Sequence, residues 1–430
     1  MAMHPDRIPR ARRRELLALA ALLPAAARAQ PARKAAAPPP PLPAAPPESI
    51  GLSAPRLAQV TEVLAAAVTE GRINGAVLGL ARHGKLGWLQ AVGFRDAAQS
   101  ERLRPDAIFP LGAITRPLAS VAAMVLVERG RLKLTDPLSA HLPDFRDMRV
   151  ATETGFERAR RPITMHDLLR HTAGFTDARR YPGTPVAQLY VEAGLQAPDK
   201  TLAEAVAALA RLPLLHQPGV LWDDSIATDV LARVVELAAG QPFDRVLARE
   251  VTTPWRMADT GFAVAARDEA RRARPRADPL TGTLPQPPDS AAPVRIGGST
   301  GLFGTAGDLL RFGQAMLAGG ILDGARVLGL GSVALMTSDH LGQIPHDSAS
   351  GQYLLGEGRG YGLGFPVRLG AGVNAMPGSP GDYDGAGSDG SQFLVDPARE
   401  LVAVLMVNQA NQFDHLFRLF RTLVYQTLAR

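Results

Sequence analysis

The chain contains no cysteine among its 430 residues. This absence excludes disulfide bonds, thiolate metal ligands and a cysteine nucleophile. Stability must come instead from core packing, for which a chain of this length and 46% hydrophobic composition is sufficient.

The net charge of the chain is small once residues 1–29 are left out. The formal net charge is +6, but in residues 1–29 six arginines against Asp6 and Glu15 account for +4, leaving +2. This small excess gives no electrostatic reason to expect a nucleic-acid partner. Apolar runs long enough to span a bilayer are also missing, so no transmembrane anchor is expected after removal of the leader described next.

Residues 1–29 have the ordered features of an export signal. A basic stretch at Arg12–Arg14 precedes a short apolar run from Leu16 to Leu23, and Ala27-Arg28-Ala29 forms a cleavage site before Gln30. The paired arginines are also typical of a twin-arginine signal, and a basic leader on a cytosolic protein is the alternative. The sequence therefore predicts a periplasmic or secreted protein.

A proline-rich linker is predicted for residues 30–49, because residues 31–47 contain eight prolines. The folded domain is predicted at 50–430. Apolar spacing within it predicts a helix at 57–68, a β-hairpin at 76–94, a mainly helical middle, strands at 361–365, 391–395 and 401–407, and a helix at 413–428. Strands at both ends of a helical middle indicate an α+β fold, in which one antiparallel sheet is built from the two chain ends.

The segment 109–117 carries the most informative motif. Phe109, Gly112, Thr115 and Pro117 lie just before a predicted apolar helix at Leu118–Glu128. The segment resembles the phenylalanine-x-x-glycine-serine-x-x-lysine-proline motif of the serine β-lactamase and penicillin-binding-protein superfamily, in its class C β-lactamase, esterase and D-aminopeptidase branch. The resemblance covers residues 50–428. It implies a β-lactamase/transpeptidase-like fold with flanking helices and an inserted helical subdomain.

The resemblance implies that the reactive groups of the first motif are missing. In that family the serine is the nucleophile and the lysine helps to deprotonate it. The serine position is Ala113 here, and the lysine position is Arg116. Alanine has no nucleophilic atom, and arginine remains protonated at any working pH.

The second motif of the family is similar to residues 218–231, where Pro218, Gly219 and Trp222 match and the tyrosine position is Asp224. A carboxylate can act as a base, but Ala113 offers it no hydroxyl. Because the resemblance implies that positions 116 and 224 meet on the cleft floor, we expect an Arg116–Asp224 ion pair there rather than two unrelated surface charges.

The third motif is similar to residues 383–397, with Tyr383, Asp384 or Gly385 as the alternatives for its key position. No cationic residue or tryptophan occurs there. The binding cleft implied by the resemblance comprises Ala113, Arg116, Asp224, Ser225, Tyr383 and Gly385.

The remaining candidates are histidines and serines outside those motifs. His166 and His171 are poorly spaced for a shared metal, so a structural role is predicted for His171 and neither a metal nor a cofactor is expected. Ser120 and Ser225 are the candidate replacement nucleophiles. Ser299 and Ser391 lie in glycine-rich segments and are predicted to form turns.

The sequence thus predicts an exported, catalytically inactive homologue of these hydrolases that retains a cleft for a small-molecule, acyl or peptide ligand. Two alternatives stay open. One is an active serine hydrolase (esterase, β-lactamase or peptidase) with a non-standard nucleophile. The other is a structural protein whose cleft is filled by its own side chains.

Overall fold

The computed structural model describes residues 41–178, 183–277, 293, 295–346, 355–372, 374–409 and 413–429. The predicted export signal lies outside these residues. In the described residues the strands are β1 (Gly75–Arg82), β2 (Lys85–Gly93), β3 (Phe109–Pro110), β4 (Arg149–Thr152), β5 (Gly155–Arg158), β6 (Phe303–Gly304), β7 (Ile321–Leu322), β8 (Ala325–Arg326), β9 (Arg359–Tyr361), β10 (Pro366–Arg368), β11 (Tyr383–Ala386), β12 (Gly390–Asp396) and β13 (Leu401–Asn408). The α-helices are α1 (Ala54–Thr69), α2 (Thr115–Glu128), α3 (Met165–Leu169), α4 (Pro185–Glu192), α5 (Leu202–Leu209), α6 (Ala227–Ala239), α7 (Phe243–Leu247), α8 (Ala306–Leu317), α9 (Leu330–Met336) and α10 (Phe413–Gln426).

One antiparallel sheet joins the two ends of the chain in the strand order β2-β1-β13-β12-β11-β10-β9. Ala76 pairs with Val407 and Arg82 with Leu401, so the first strand lies along the last one. The residues of β1 and β13 are buried on both faces. This arrangement confirms the predicted α+β fold and the sheet built from both termini.

Helices cover both faces of the sheet. Leu57, Val60 and Leu64 of α1 and Phe420 of α10 pack with alternate residues of β1 on one face. On the other face, α2 and α8 contribute to a larger cluster that also contains Val77 of β1. The helices α3–α7 form the predicted insertion between the two groups of strands. None of the helices in the described ranges is long and apolar enough to cross a membrane.

Local signals positioned several elements correctly. The β1–β2 hairpin turns at His83-Gly84, where both residues have positive φ angles of 51° and 74°. The predicted strand at 361–365 is wrong in its bounds, because residues 362–365 form the connection between two short strands. The chain leaves β9 at Tyr361 and turns through Gly364, whose φ of 96° favours glycine, before β10 begins at Pro366.

The carboxyl-terminal part of the predicted linker packs on the domain. Leu42 is buried. The backbone N–H of Leu86 donates to the carbonyl of Pro43 at 2.8 Å, and the N–H of Ala45 donates to the carbonyl of Leu86 at 2.9 Å. Residues 43–45 therefore cover the free edge of β2, and the ordered domain includes residues assigned to the linker. An apolar side chain next to an unpaired strand edge explains this difference, because both gain by association.

Candidate functional site

Ala113 lies in a short 3₁₀ turn between β3 and α2. The N–H of Leu111 donates to the carbonyl of Leu302 at 2.7 Å, and the Thr115 hydroxyl donates to the carbonyl of Gly112 at 2.7 Å. These bonds fix the entry into α2 on both sides of Ala113. The residue is partly exposed and presents only a methyl group.

The third motif approaches this turn closely at Gly387. A Cβ atom added to Gly387 would lie 2.8 Å from the carbonyl oxygen of Leu111. A Cβ on Gly112 would lie 3.2 Å from the Cα of Gly387 and 3.5 Å from the backbone nitrogen of Ser388. Only glycine permits this contact, and Gly112 also has a φ of 52°. The part of the third motif beside Ala113 is therefore Gly387–Ser388.

The cleft assignments of Tyr383 and Gly385 need correction. Tyr383 is 2% exposed, and its ring packs edge-on against Phe365 with centroids 5.3 Å apart. A Cβ on Gly385 would lie 2.4 Å from the ring of Phe393. Tyr383 and Gly385 are thus packed against core rings, whereas Gly387 further along the chain is the residue that approaches Gly112. Asp384, the third alternative, forms buried ion pairs with Arg359 and Arg421.

Arg116 and Asp224 form the expected ion pair. Arg116 is in the first turn of α2, and its Nη1 atom contacts Oδ1 of Asp224 in the segment before α6. Their side chains are only 10% and 8% exposed, respectively. Such poorly solvated charges are tolerated because each neutralises the other. The pair occupies the positions that the resemblance assigned to the lysine and the tyrosine.

His171 holds the segment that carries Asp224. Its carbonyl accepts the N–H of Asp223 at 3.0 Å, and its Nδ1 atom accepts the N–H of Ser225 at 3.2 Å. Because Nδ1 is an acceptor, Nε2 carries the proton of the neutral ring and donates to the Thr228 hydroxyl at 3.0 Å. The ring is buried and the residue has a φ of 59°. The structural role predicted for His171 is thus a specific one that sequence spacing did not reveal.

The two candidate replacement nucleophiles lie in packed surroundings. Ser225 and Ser120 are each 1% exposed. A Cβ on Gly364 would lie 2.3 Å from the Ser120 hydroxyl oxygen, so this hydroxyl faces packed backbone. The imidazole nitrogen nearest to Ser225 already accepts the serine's own backbone N–H. Neither hydroxyl is accessible to a substrate.

Ser299 and Ser391 serve local structure. The N–H of Ser299 donates to Oδ1 of Asp229 at 2.8 Å, which ties its glycine-rich loop to α6. The Ser391 hydroxyl donates to the carbonyl of Val407 at 2.8 Å and accepts its N–H at 3.1 Å, at an irregular point of the β12–β13 pairing.

His166 and His171 have separate partners, and the partner of His166 is His340. The Nε2 atom of His166 is 2.9 Å from Nδ1 of His340. Burial lowers the pKa of His166 to about 4, and the charge of Arg170 contributes to this shift. In the described residues no three histidine or carboxylate side chains are grouped as metal ligands would be.

This arrangement agrees with comparisons with known proteins. The family model for β-lactamase matches residues 60–425, so the chain belongs to the β-lactamase family. An uncharacterised protein of Mycobacterium tuberculosis is 33% identical over 353 residues, which cover 78% of this chain and 86% of the relative. Esterase EstB of Burkholderia gladioli is 31% identical over 385 residues, covering 85% and 93% of the two chains.

A solved structure extends the likeness to the fold. EstCE1, described as a hydrolase with promiscuous acyltransferase activity, superposes with a TM-score of 0.71 at 26% identity. The match covers 86% of this chain and 99% of that one. The resemblance that began with residues 109–117 is therefore confirmed at the level of family and fold.

Proposed function

We propose that this protein is an exported, catalytically inactive member of the β-lactamase family that binds a ligand without hydrolysing it. The observation that carries the proposal is the pairing of Asp224 with Arg116, three residues after Ala113 in the chain. A methyl group stands where a hydrolase of this family needs a hydroxyl, and an ion pair stands where it needs proton-transfer groups. The ligand class is a small molecule of acyl or peptide character.

The chemistry of the pair supports inactivity. The guanidinium of Arg116 cannot accept a proton from a nucleophile. The Asp224 carboxylate is engaged by that guanidinium and has no hydroxyl at Ala113 to activate. Retention of a cleft is supported by the partly exposed Ala113 and the exposed Ser388, which flank the same turn.

The alternative is an active hydrolase that uses Ser120 or Ser225. Burial of both hydroxyls, and the use of His171 as a backbone clamp, weigh against it. A third alternative, a cleft filled by side chains of the protein itself, would abolish ligand binding as well as hydrolysis.

Covalent labelling separates the first two functions. The purified protein is incubated with a fluorophosphonate and with a fluorescent penicillin, and its intact mass is measured beside that of an active esterase of the family. We expect no adduct, and hydrolysis of nitrocefin and p-nitrophenyl esters no faster than with heat-denatured protein. An adduct mapped to any serine of the chain would contradict the proposal.

Export is tested on the protein from its own host. The ordered basic, apolar and cleavage-site features of residues 1–29 support a mature amino terminus near Gln30. Amino-terminal sequencing of the periplasmic or secreted fraction should find it. An intact leader on mostly cytoplasmic protein would rule export out.

A further inference from the structure

The turn between β11 and β12 carries an acidic residue, Asp389, two positions after the glycine that contacts the Ala113 turn. The turn contains Ser388 and Asp389, and its first residue makes the close contact with Gly112 described above. The N–H of Gly387 donates to the carbonyl of Ser391 at 2.8 Å, and the N–H of Gln409 donates to the carbonyl of Asp389 at 2.9 Å. These bonds hold the backbone of the turn in place, so Asp389 has a fixed backbone position two residues after the contact of Gly387 with Gly112.

Among the residues that the structure describes, the carboxylate of Asp389 has no counterion. It makes no ion pair or side-chain hydrogen bond with any residue of the described ranges. The side chain is partly buried, and this burial raises the pKa of Asp389 with no opposing contribution from a neighbouring charge. A poorly solvated carboxylate without a partner is unfavourable, and such groups concentrate at binding sites.

The charge balance of the site determines which ligand would satisfy this group. Arg116 and Asp224 neutralise each other, so they contribute little net charge to the site. Asp389 adds a negative charge that this pair does not compensate. A cation bound there gains from the carboxylate without having to displace an existing partner, and a fixed turn lowers the entropic cost of binding.

We propose that the site beside Ala113 binds a small organic cation, with the Asp389 carboxylate as the counterion of its ammonium or guanidinium group. This inference rests on the proposed function, because it assumes that a cleft remains where hydrolysis has been lost. It adds the charge of the ligand, which neither the family nor the relatives' names specify. Ser388, exposed on the same turn, can supply a hydroxyl to the bound group.

Three probes of matched size test the charge preference. These are 4-fluorobenzylammonium, 4-fluorobenzyl alcohol and 4-fluorobenzoate, titrated against the full chain and followed by ¹⁹F NMR. One unscreened charge pair corresponds to roughly tenfold in affinity, so we expect the ammonium to bind about tenfold more tightly than the alcohol. The benzoate should bind more weakly than either.

Two variants test whether Asp389 causes the preference for the ammonium probe. Asp389→Asn should make the ammonium and the alcohol bind equally. Glu153→Gln, which removes one negative charge from the exposed turn between β4 and β5, should leave the preference intact. Ammonium affinity should also rise with pH as Asp389 ionises, and the carbon-13 titration of its carboxyl group should shift to lower pH when the ammonium is bound.

The proposal is overturned if the ammonium does not bind, if the three probes bind equally, or if Asp389→Asn keeps the preference. These results are independent of the labelling experiment, because none of the probes can acylate a serine. A cation-binding protein that is also labelled by fluorophosphonate would refute inactivity but not the cation site. An unlabelled protein without charge preference would refute only the cation site.

Discussion

Two opposite charges at Arg116 and Asp224 share one poorly solvated environment, in which neither would be stable alone. The segment with Asp224 is clamped by His171, so it cannot easily swing its carboxylate into water. Loss of one partner therefore leaves the other charge buried and unpaired, which costs more than the pair itself contributes. This asymmetry makes the two residues energetically dependent on each other.

A double-mutant cycle should show that dependence. We expect Arg116→Met or Asp224→Asn alone to lower the free energy of unfolding by about 1–4 kcal/mol, with the double variant recovering part of the loss. Chemical denaturation of the four proteins measures the coupling. The pair Arg158–Asp147, with side chains 78% and 66% exposed, is the matched control and should show little coupling. Strict additivity at positions 116 and 224 would mean that the two residues do not interact.

At the scale of elements, the carboxyl-terminal helix is attached to the sheet by buried charges as well as by apolar contacts. Arg421 of α10 donates to both carboxylate oxygens of Asp382, at 3.0 and 3.1 Å, and also to Asp384. Asp384 receives a second guanidinium from Arg359 of β9. The network therefore connects α10 with two strands that lie close to the free edge of the sheet.

We expect Arg421→Met to destabilise the protein by about 3–5 kcal/mol, because it leaves buried carboxylates short of a positive partner. Arg418→Met is the control, since Arg418 lies on the exposed face of the same helix. That change should stay within about 0.5 kcal/mol. Thermal and urea unfolding of both variants checks the difference, and similar effects at positions 418 and 421 would show that the network adds no stability.

The elements that sequence patterns predicted best are those with strong local signals. The β1–β2 hairpin has alternating apolar residues and a glycine turn, and α10 has Leu416, Phe420 and Val424 on one face. The sequence pattern does not predict the bounds of β9, because its three residues are followed by glycines rather than by an apolar run. The carboxyl-terminal half of the predicted linker was assigned from its prolines, whereas its packing depends on the distant edge of β2.

At the scale of the whole molecule, the candidate site depends on contacts between segments far apart in the chain. The Arg116–Asp224 pair could be predicted because two separate motifs each retained their frame. The place of the third motif could not, because its glycines allow several registers. Only the approach of Gly387 to Gly112, which requires the assembled sheet, brings that motif beside Ala113. The clamp by His171 was likewise hidden, since it uses backbone groups of Asp223 and Ser225.

Restoring all three family residues tests whether the rest of the molecule still forms a hydrolase site. We expect Ala113→Ser, Arg116→Lys and Asp224→Tyr together to give weak hydrolysis of p-nitrophenyl esters. The serine alone should be slower by roughly 10²-fold or more, because a general base contributes about that much and Arg116 cannot be one. The variant with only Lys and Tyr restored is the control, since it lacks a hydroxyl and should be inactive.

The outcome reports on the scaffold as well as on the three residues. The bonds that fix the Ala113 turn and the clamp on the segment at 224 use backbone groups and the side chains of Thr115 and His171, none of which the substitutions change. Activity in the triple variant would therefore mean that hydrolysis was lost through side chains while the framework persisted. Activity in the control would reveal a second nucleophile. A folded but inactive triple variant would point to the segment from Tyr383 to Gly390, the third motif, as a further missing part of the site.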